Sequence, residues 1–100
     1  MPPMNAIQLV ISANLAKDAL LRTVFEAVAK GRSIQIRDLR AKFSSEALEH
    51  SIPALKSADL IRESPAPIED FSTLYVTANG LTAELALKDR NLMDNLAAQI

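Results

Sequence analysis

Most of this chain consists of helix-favouring residues, and the main exception is one pair of short runs that favour β-strands. These runs, residues 60–64 and 71–76, flank the helix-breaking sequence Pro65-Ala66-Pro67. β-Branched and aromatic residues bounded by prolines are typical of a short hairpin. Elsewhere the apolar residues recur at helical spacing. The sequence therefore predicts a mainly α fold with a small β-hairpin.

A chain of 100 residues is long enough for one domain with a modest core. We expect residues 1–4 to be disordered and residues 5–100 to form that domain. An N-terminal helix is predicted at 5–17 and a C-terminal helix at 78–100. Whether residues 5–30 form one kinked helix or two is left open by the pattern.

The segment 18–30 carries the clearest helical stripe, formed by Leu20, Leu21, Val24, Phe25 and Val28. Asp18 is suited to cap its start, and Gly31 is suited to the position after its end, where φ is often positive.

The middle of the chain predicts shorter elements. Residues 33–36 alternate as in a very short strand, and the spacing of Ile36, Leu39 and Phe43 then predicts a helix of about two turns. Ser44 or Ser45 is placed to cap the next helix, near residues 45–58. Pro53 lies inside that helix, so we expect a kink there or a helix in two pieces. Thr77 is a natural cap for the last helix.

Several classes of protein are disfavoured by the composition. The chain has no cysteine, which excludes disulfides and cysteine metal sites and fits the cytoplasm. No positive charge precedes the first apolar stretch, and polar residues interrupt that stretch, so neither a secretory signal nor a membrane span is expected. With Gly31 and Gly80 as its only glycines, the chain has no glycine-rich phosphate loop. We expect no catalytic activity and no cofactor.

The charge is unevenly distributed. Residues 17–42 hold seven basic and three acidic groups, a net charge of +4, whereas residues 43–100 hold four basic and nine acidic groups, a net charge of −5. Glu46, Glu49 and His50 could share a metal on one helix face, but one histidine without cysteine makes a poor ligand set. No metal site is predicted.

Residues 55–81, LKSADLIRESPAPIEDFSTLYVTANGL, resemble the winged-helix regulators of the bacterial MarR and PadR type. In those proteins an apolar helix end leads into a Leu-Ile strand, an Arg-containing wing and a strand that ends at a Thr-x-x-Gly helix start, here Thr77 to Gly80. The resemblance implies a winged helix-turn-helix over residues 18–77 with flanking helices. Asp59 stands where these proteins usually have glycine, and aspartate tolerates the left-handed conformation better than most residues.

The resemblance also implies a DNA-binding transcriptional regulator, in which the helix at 45–58 enters the major groove and the wing contacts phosphates. The DNA-contacting candidates are Arg32, Arg37, Arg40, Lys42, Ser45, Glu49, His50 and Arg62. The basic members would contact phosphate, and Ser45, Glu49 and His50 would face the groove. The alternative interpretation of the basic residues is a solvated face, with Arg37 or Lys42 paired to Asp38.

Two alternatives stay open. Acidic residues on the expected recognition helix and wing oppose phosphate binding, and they favour a winged-helix module that binds a protein partner instead. Leu74 or Tyr75, expected to be exposed, would then be anchors. The other alternative is that the chain is a fragment of a larger regulator.

A homodimer is expected because the two terminal helices carry more apolar residues than one small core needs. The last helix spaces Leu81, Leu85, Leu92 and Leu96 almost as a heptad seam. The residues predicted to form the dimer contact are Ile7, Val10, Ile11, Leu85, Leu92 and Leu96.

Overall fold

The computed structural model describes residues 6–88 of the chain. Its helices are α1 (Ala6–Ser12), α2 (Ala19–Lys30), α3 (Ile36–Arg40), α4 (Ser45–Ser57) and α5 (Ala78–Leu87), and its strands are β1 (Ser33–Gln35), β2 (Ile61–Ser64) and β3 (Thr73–Val76). A 3-10 turn (Glu69–Phe71) lies in the loop between β2 and β3. The strands form one antiparallel sheet in the order β1–β3–β2. The prediction of a mainly α protein with a little β structure is confirmed, and β1 adds a third strand to the expected hairpin.

The N-terminal segment forms two helices, and α1 ends well before residue 17, where the prediction placed its end. Asn14 has a φ of 60°, and the Leu15 amide donates to the Val10 carbonyl at 3.0 Å. This bond is typical of a helix that ends in a left-handed residue, a role that asparagine fills readily.

At α2, the predicted cap of the helix start is confirmed, but the predicted conformation of the residue after the helix end is wrong. The Asp18 carboxylate accepts a hydrogen bond from the Leu21 amide at 3.0 Å, so the predicted cap is confirmed. Gly31 has a φ of −100°, and it is Arg32 that takes the left-handed conformation, at 67°. The predicted positive φ at Gly31 is therefore wrong by one residue.

Helix α4 is continuous through Pro53, so of the two predicted outcomes, a kink or a helix in two pieces, the second is wrong. Proline removes one backbone hydrogen bond, from its own nitrogen to the Glu49 carbonyl four residues earlier. Both residues are exposed, so water can hydrate that carbonyl. Ser44, rather than Ser45, caps the helix by accepting from the Ala47 amide at 3.1 Å.

One core joins all the helices to the inner face of the sheet. Its largest fully buried side chains are Phe25, Leu9, Leu15, Leu39, Leu55, Leu60, Ile61 and Leu74. Leu20, predicted within the apolar stripe of α2, is 42% exposed, because the buried face of α2 is shifted toward Ala29. Helix α5 buries Gly80, Ala83 and Ala86, so its leucine spacing does not mark its buried face.

The turn before β2 is tied to the start of α5. Asp59 has a φ of 59°, as expected for the position that glycine usually holds. The Thr77 hydroxyl donates to the Asp59 carbonyl, and the Thr77 amide donates to the Leu60 carbonyl at 3.0 Å. Thr77 also caps α5, accepting from the Gly80 amide at 3.0 Å, which confirms that predicted cap. Gly80 thereby lies directly against the Leu60 backbone.

This close approach predicts that Gly80→Ala destabilises the fold. The added Cβ would overlap the Leu60 carbonyl oxygen and a methyl group of Val76, neither of which can move freely. We expect the free energy of unfolding to fall by about 1–3 kcal/mol in urea denaturation. Gly31→Ala is the matched control, because its Cβ would first meet the Ser33 carbonyl oxygen at 3.4 Å. Equal stability of the two variants would contradict the prediction.

Candidate functional site

The exposed side of α4 carries three of the eight DNA-contacting candidates, Ser45, Glu49 and His50. Ala47, Leu48, Ser51 and Leu55 of this helix are buried. Ser45, Glu46, Glu49, His50 and Pro53 are exposed. The N-terminal half of α4 therefore presents hydroxyl, carboxylate and imidazole groups to solvent, and two of its exposed residues are acidic.

Arg40, at the end of α3, is paired with the loop between β2 and β3. Its guanidinium contacts the Asp70 carboxylate and lies 3.3 Å from the Glu69 carboxylate. One turn earlier, the Arg37 guanidinium lies over the Phe71 ring, 5.7 Å from its centroid. Ion pairing and a cation–π contact thus hold this loop against α3. The sequence shows that Glu69 and Asp70 lie in this loop, but Arg40 is about 30 residues away, so no local pattern predicts the pairing.

A cavity of about 370 Å³, here called the α3–α4 groove, opens beside this ion pair. It is lined by Ile36, Arg40, Ser45, Leu48, Glu49, Pro53 and Glu69. Ile36 and Leu48 are almost fully buried and form an apolar floor. The structure thus brings the predicted residues Arg40, Ser45 and Glu49 together in one site. Pro53 and Glu69, which the sequence did not single out for function, complete it.

His50 faces away from that groove, toward the start of α2. Its Nε2 lies 2.7 Å from an Asp18 carboxylate oxygen. The Leu21 amide, which donates to the same carboxylate, and His50 together hold the pKa of Asp18 below its usual range. His50 therefore joins α4 to the cap of α2, a contact that spacing along the sequence did not predict.

Arg62 lies on the open face of the sheet, next to Tyr75 on β3. Its Nε lies 3.2 Å from the Asp59 carboxylate, which also accepts from the Asn79 side chain at 3.1 Å. Tyr75 is 38% exposed, but Leu74 is fully buried on the opposite face. The prediction of Leu74 as an exposed anchor is therefore wrong, because neighbouring strand residues point to opposite faces.

The remaining basic candidates are exposed, but they do not form one cluster. Arg32 lines a separate cavity between α2 and α5, together with Lys30 and Lys88. Lys42 lies in the turn between α3 and α4. Within residues 6–88, Asp38 makes no ion pair, so the predicted pairs of Asp38 with Arg37 or Lys42 are not present.

The segment from α4 through β3, residues 45–76, is strongly acidic. It holds six acids, Glu46, Glu49, Asp59, Glu63, Glu69 and Asp70, against two bases, Lys56 and Arg62, for a net charge of −4. Lys56 and Arg62 are themselves paired with Glu63 and Asp59. A negative potential is therefore expected over α4 and the loop between β2 and β3, reduced next to Arg40 of α3.

The predicted dimer residues fall into three groups. Ile11 is 44% exposed and Leu85 is 68% exposed, on the helices α1 and α5, which pack against each other. Val10 is fully buried within the chain, so its side chain belongs to the core and not to a partner contact, which corrects its assignment. The Ile7 side chain, Leu92 and Leu96 lie outside the described residues.

The described residues offer little to a metal ion. Between residues 6 and 88, no group of three histidine, cysteine, aspartate or glutamate side chains is placed to bind one. No helix in that range has the length and apolar character that crossing a membrane requires.

Comparison with known proteins adds no relative. No protein-family model, curated protein or solved structure matches the chain. The geometry and charge of the surface around α4 therefore carry the argument for function.

The cap of α2 predicts a pH-dependent contribution to stability. Because the pKa of Asp18 is lower in the folded chain than its ordinary value of 3.8, its carboxylate stabilises the fold above that value. This stability is lost as the pH falls through the lower folded-state pKa. We expect Asp18→Ala to reduce the free energy of unfolding by about 1 kcal/mol near neutral pH, and by less in strong acid. Urea denaturation at both pH values measures this.

Asp38→Ala is the control for that experiment, because Asp38 is exposed and has no ion pair among residues 6–88. A loss in Asp18→Ala that is equally large at acidic pH would contradict a role for the ionised carboxylate.

Proposed function

We propose that this chain is a winged helix-turn-helix domain. Support comes from the order of its elements, α2–β1–α3–α4–β2–β3–α5, and from the sheet order β1–β3–β2. In this interpretation α3 and α4 are the helix-turn-helix, with α4 as recognition helix, and residues 61–76 are the wing. The resemblance of residues 55–81 to MarR and PadR type regulators agrees with it.

For its activity, we infer that the domain binds a protein partner through α4 and the wing. The observation that carries this inference is the net charge of −4 over residues 45–76, where a DNA-binding winged helix needs cations. Arg40 and Arg62, two of the predicted phosphate contacts, each lie against a carboxylate of the same chain. We propose no catalytic activity, and we propose the cytoplasm as the location, which the cysteine-free sequence fits.

The ion pairs alone do not decide against DNA. Exposed pairs contribute about 0–1 kcal/mol, so phosphates could displace the acids from the arginines. The displaced carboxylates would still lie within the Debye length of about 8 Å at physiological salt, and they would repel the same phosphates. The net charge of the surface therefore opposes DNA binding more than the individual pairs do.

DNA binding is the second candidate, and one observation favours it. Arg37 and Lys42, on and after α3, are exposed and make no ion pair among residues 6–88. The helix before the recognition helix crosses the DNA backbone in helix-turn-helix proteins, so these cations would be placed to contact phosphate.

A charge-reversal experiment separates the two candidates. We expect the natural chain to bind a labelled mixed-sequence duplex with a Kd weaker than about 100 µM in fluorescence anisotropy. Glu46→Lys with Glu49→Lys should tighten binding about ten-fold or more and make it salt-dependent. Glu26→Lys is the control for Glu46→Lys or Glu49→Lys alone, because it changes the net charge equally at an exposed acid on α2 and leaves the Glu84–Lys88 pair intact.

Steep salt-dependent binding by the natural chain, weakened by Arg37→Ala with Lys42→Ala, would establish the DNA candidate instead. A protein that co-purifies with the natural chain should be lost in Glu49→Lys and retained in Glu26→Lys. Retention in both variants would contradict the assigned surface.

We also propose that the chain forms a homodimer through α1 and α5, where Ile11 and Leu85 are exposed. Light scattering after gel filtration should then give about twice the chain mass of 10.9 kDa. Leu85→Glu is expected to give the monomer mass, because moving an unpaired carboxylate from water into an apolar contact is strongly unfavourable. Leu20→Glu, at an exposed leucine on α2 (42% exposed against 68% for Leu85), should leave the dimer intact. A monomeric natural chain would contradict the dimer.

A further inference from the structure

Resting on the proposed protein-binding function, we propose that the α3–α4 groove accepts one arginine or lysine side chain from the partner. The occupant is a segment that presents this cation next to an apolar residue. Three features of the groove support this chemistry: its apolar floor, its two carboxylates, and the exposed apolar side chains of the adjacent loop.

The floor suits the stem of a long cationic side chain. Ile36 and Leu48 are each 5% exposed at the base of the groove, and Pro53 forms an exposed apolar wall. Arginine and lysine place their methylene groups on apolar surface while the charged end stays near water or an acid. The volume of about 370 Å³ admits one such side chain and leaves room for water.

The carboxylates at the rim of the α3–α4 groove suit the charged group of an arginine or lysine side chain. Glu49 makes no ion pair within the described part of the chain, and the Glu69 side chain is 72% exposed. Glu69 shares Arg40 with Asp70, so Arg40 keeps a partner when Glu69 turns toward an incoming cation. The groove lining carries two carboxylates and one guanidinium, and a single added cation therefore brings it to neutrality.

The adjoining loop suits an apolar neighbour of that cation. Ile68, next to Glu69, is 61% exposed, and Phe71 is 44% exposed. Both belong to the loop that Arg40 holds against α3. An apolar side chain beside the cation would therefore find a contact surface that is already in position.

The test uses a short peptide containing Leu-Arg-Leu between glycine and serine residues, with a second peptide in which citrulline replaces arginine. Citrulline keeps the shape of arginine and removes its charge. Each peptide is titrated into the full-length 15N-labelled chain, and amide shifts report both the affinity and the position of binding. We expect shifts at Ser45 and Leu48, and binding of the arginine peptide about ten-fold tighter.

Three variants of the chain show which carboxylates contribute to binding of the arginine peptide. Glu49→Gln and Glu69→Gln should each weaken the arginine peptide about two- to five-fold. Glu26→Gln, an exposed acid on α2 beside the other cavity, should leave its affinity unchanged. All three substitutions preserve size, and none removes a core contact.

Equal affinity for the two peptides, equal weakening by Glu26→Gln, or shifts outside the groove would each overturn the proposal. If the peptide test fails while a partner is still lost in Glu49→Lys, the groove assignment is wrong and the protein-binding function stands. If duplex DNA displaces the arginine peptide and binds with a steep salt dependence, the proposed function itself fails.

Discussion

The arrangement of the sheet and of helices α4 and α5 depends on the junction between Asp59 and Gly80. Asp59 takes a left-handed turn that ends α4 and starts β2, and Thr77 binds the backbone of that turn while it caps α5. Gly80 permits the close approach, since a larger residue would overlap the Leu60 backbone. One network therefore sets the end of the proposed recognition helix, the base of the wing and the direction of the last helix.

The surface formed by α4 and the loop between β2 and β3 carries an excess of carboxylates, the opposite of what DNA binding by the proposed fold would need. The loop between β2 and β3 carries Glu69 and Asp70 to Arg40, and Phe71 to Arg37. These contacts hold the loop against α3, and they place acids beside the cations that a nucleic acid would need. The excess of carboxylates makes the groove more suited to a cation than to a phosphate.

The fold of this protein does not determine its function, because the same scaffold can present positive or negative charge to a partner. The buried residues that build it, such as Phe25, Leu55 and Leu74, say nothing about a partner. Its exposed residues carry that information, and on α4 these include the acids Glu46 and Glu49. On α1 and α5 the exposed residues include Ile11 and Leu85, on which the proposed homodimer depends.

From the sequence alone, the mainly helical class, the three caps at Asp18, Ser44 or Ser45 and Thr77, and the turn at Asp59 could be predicted, because each depends on residues a few positions apart. Tertiary structure decided what depends on distant residues. It buried Leu74 and Val10, exposed Leu20, and kept α4 continuous through Pro53. It also paired Arg40 with Asp70 and His50 with Asp18, about 30 residues apart. Such pairs follow from packing and leave no local signal, so the sequence revealed the candidate residues but not which of them form one site.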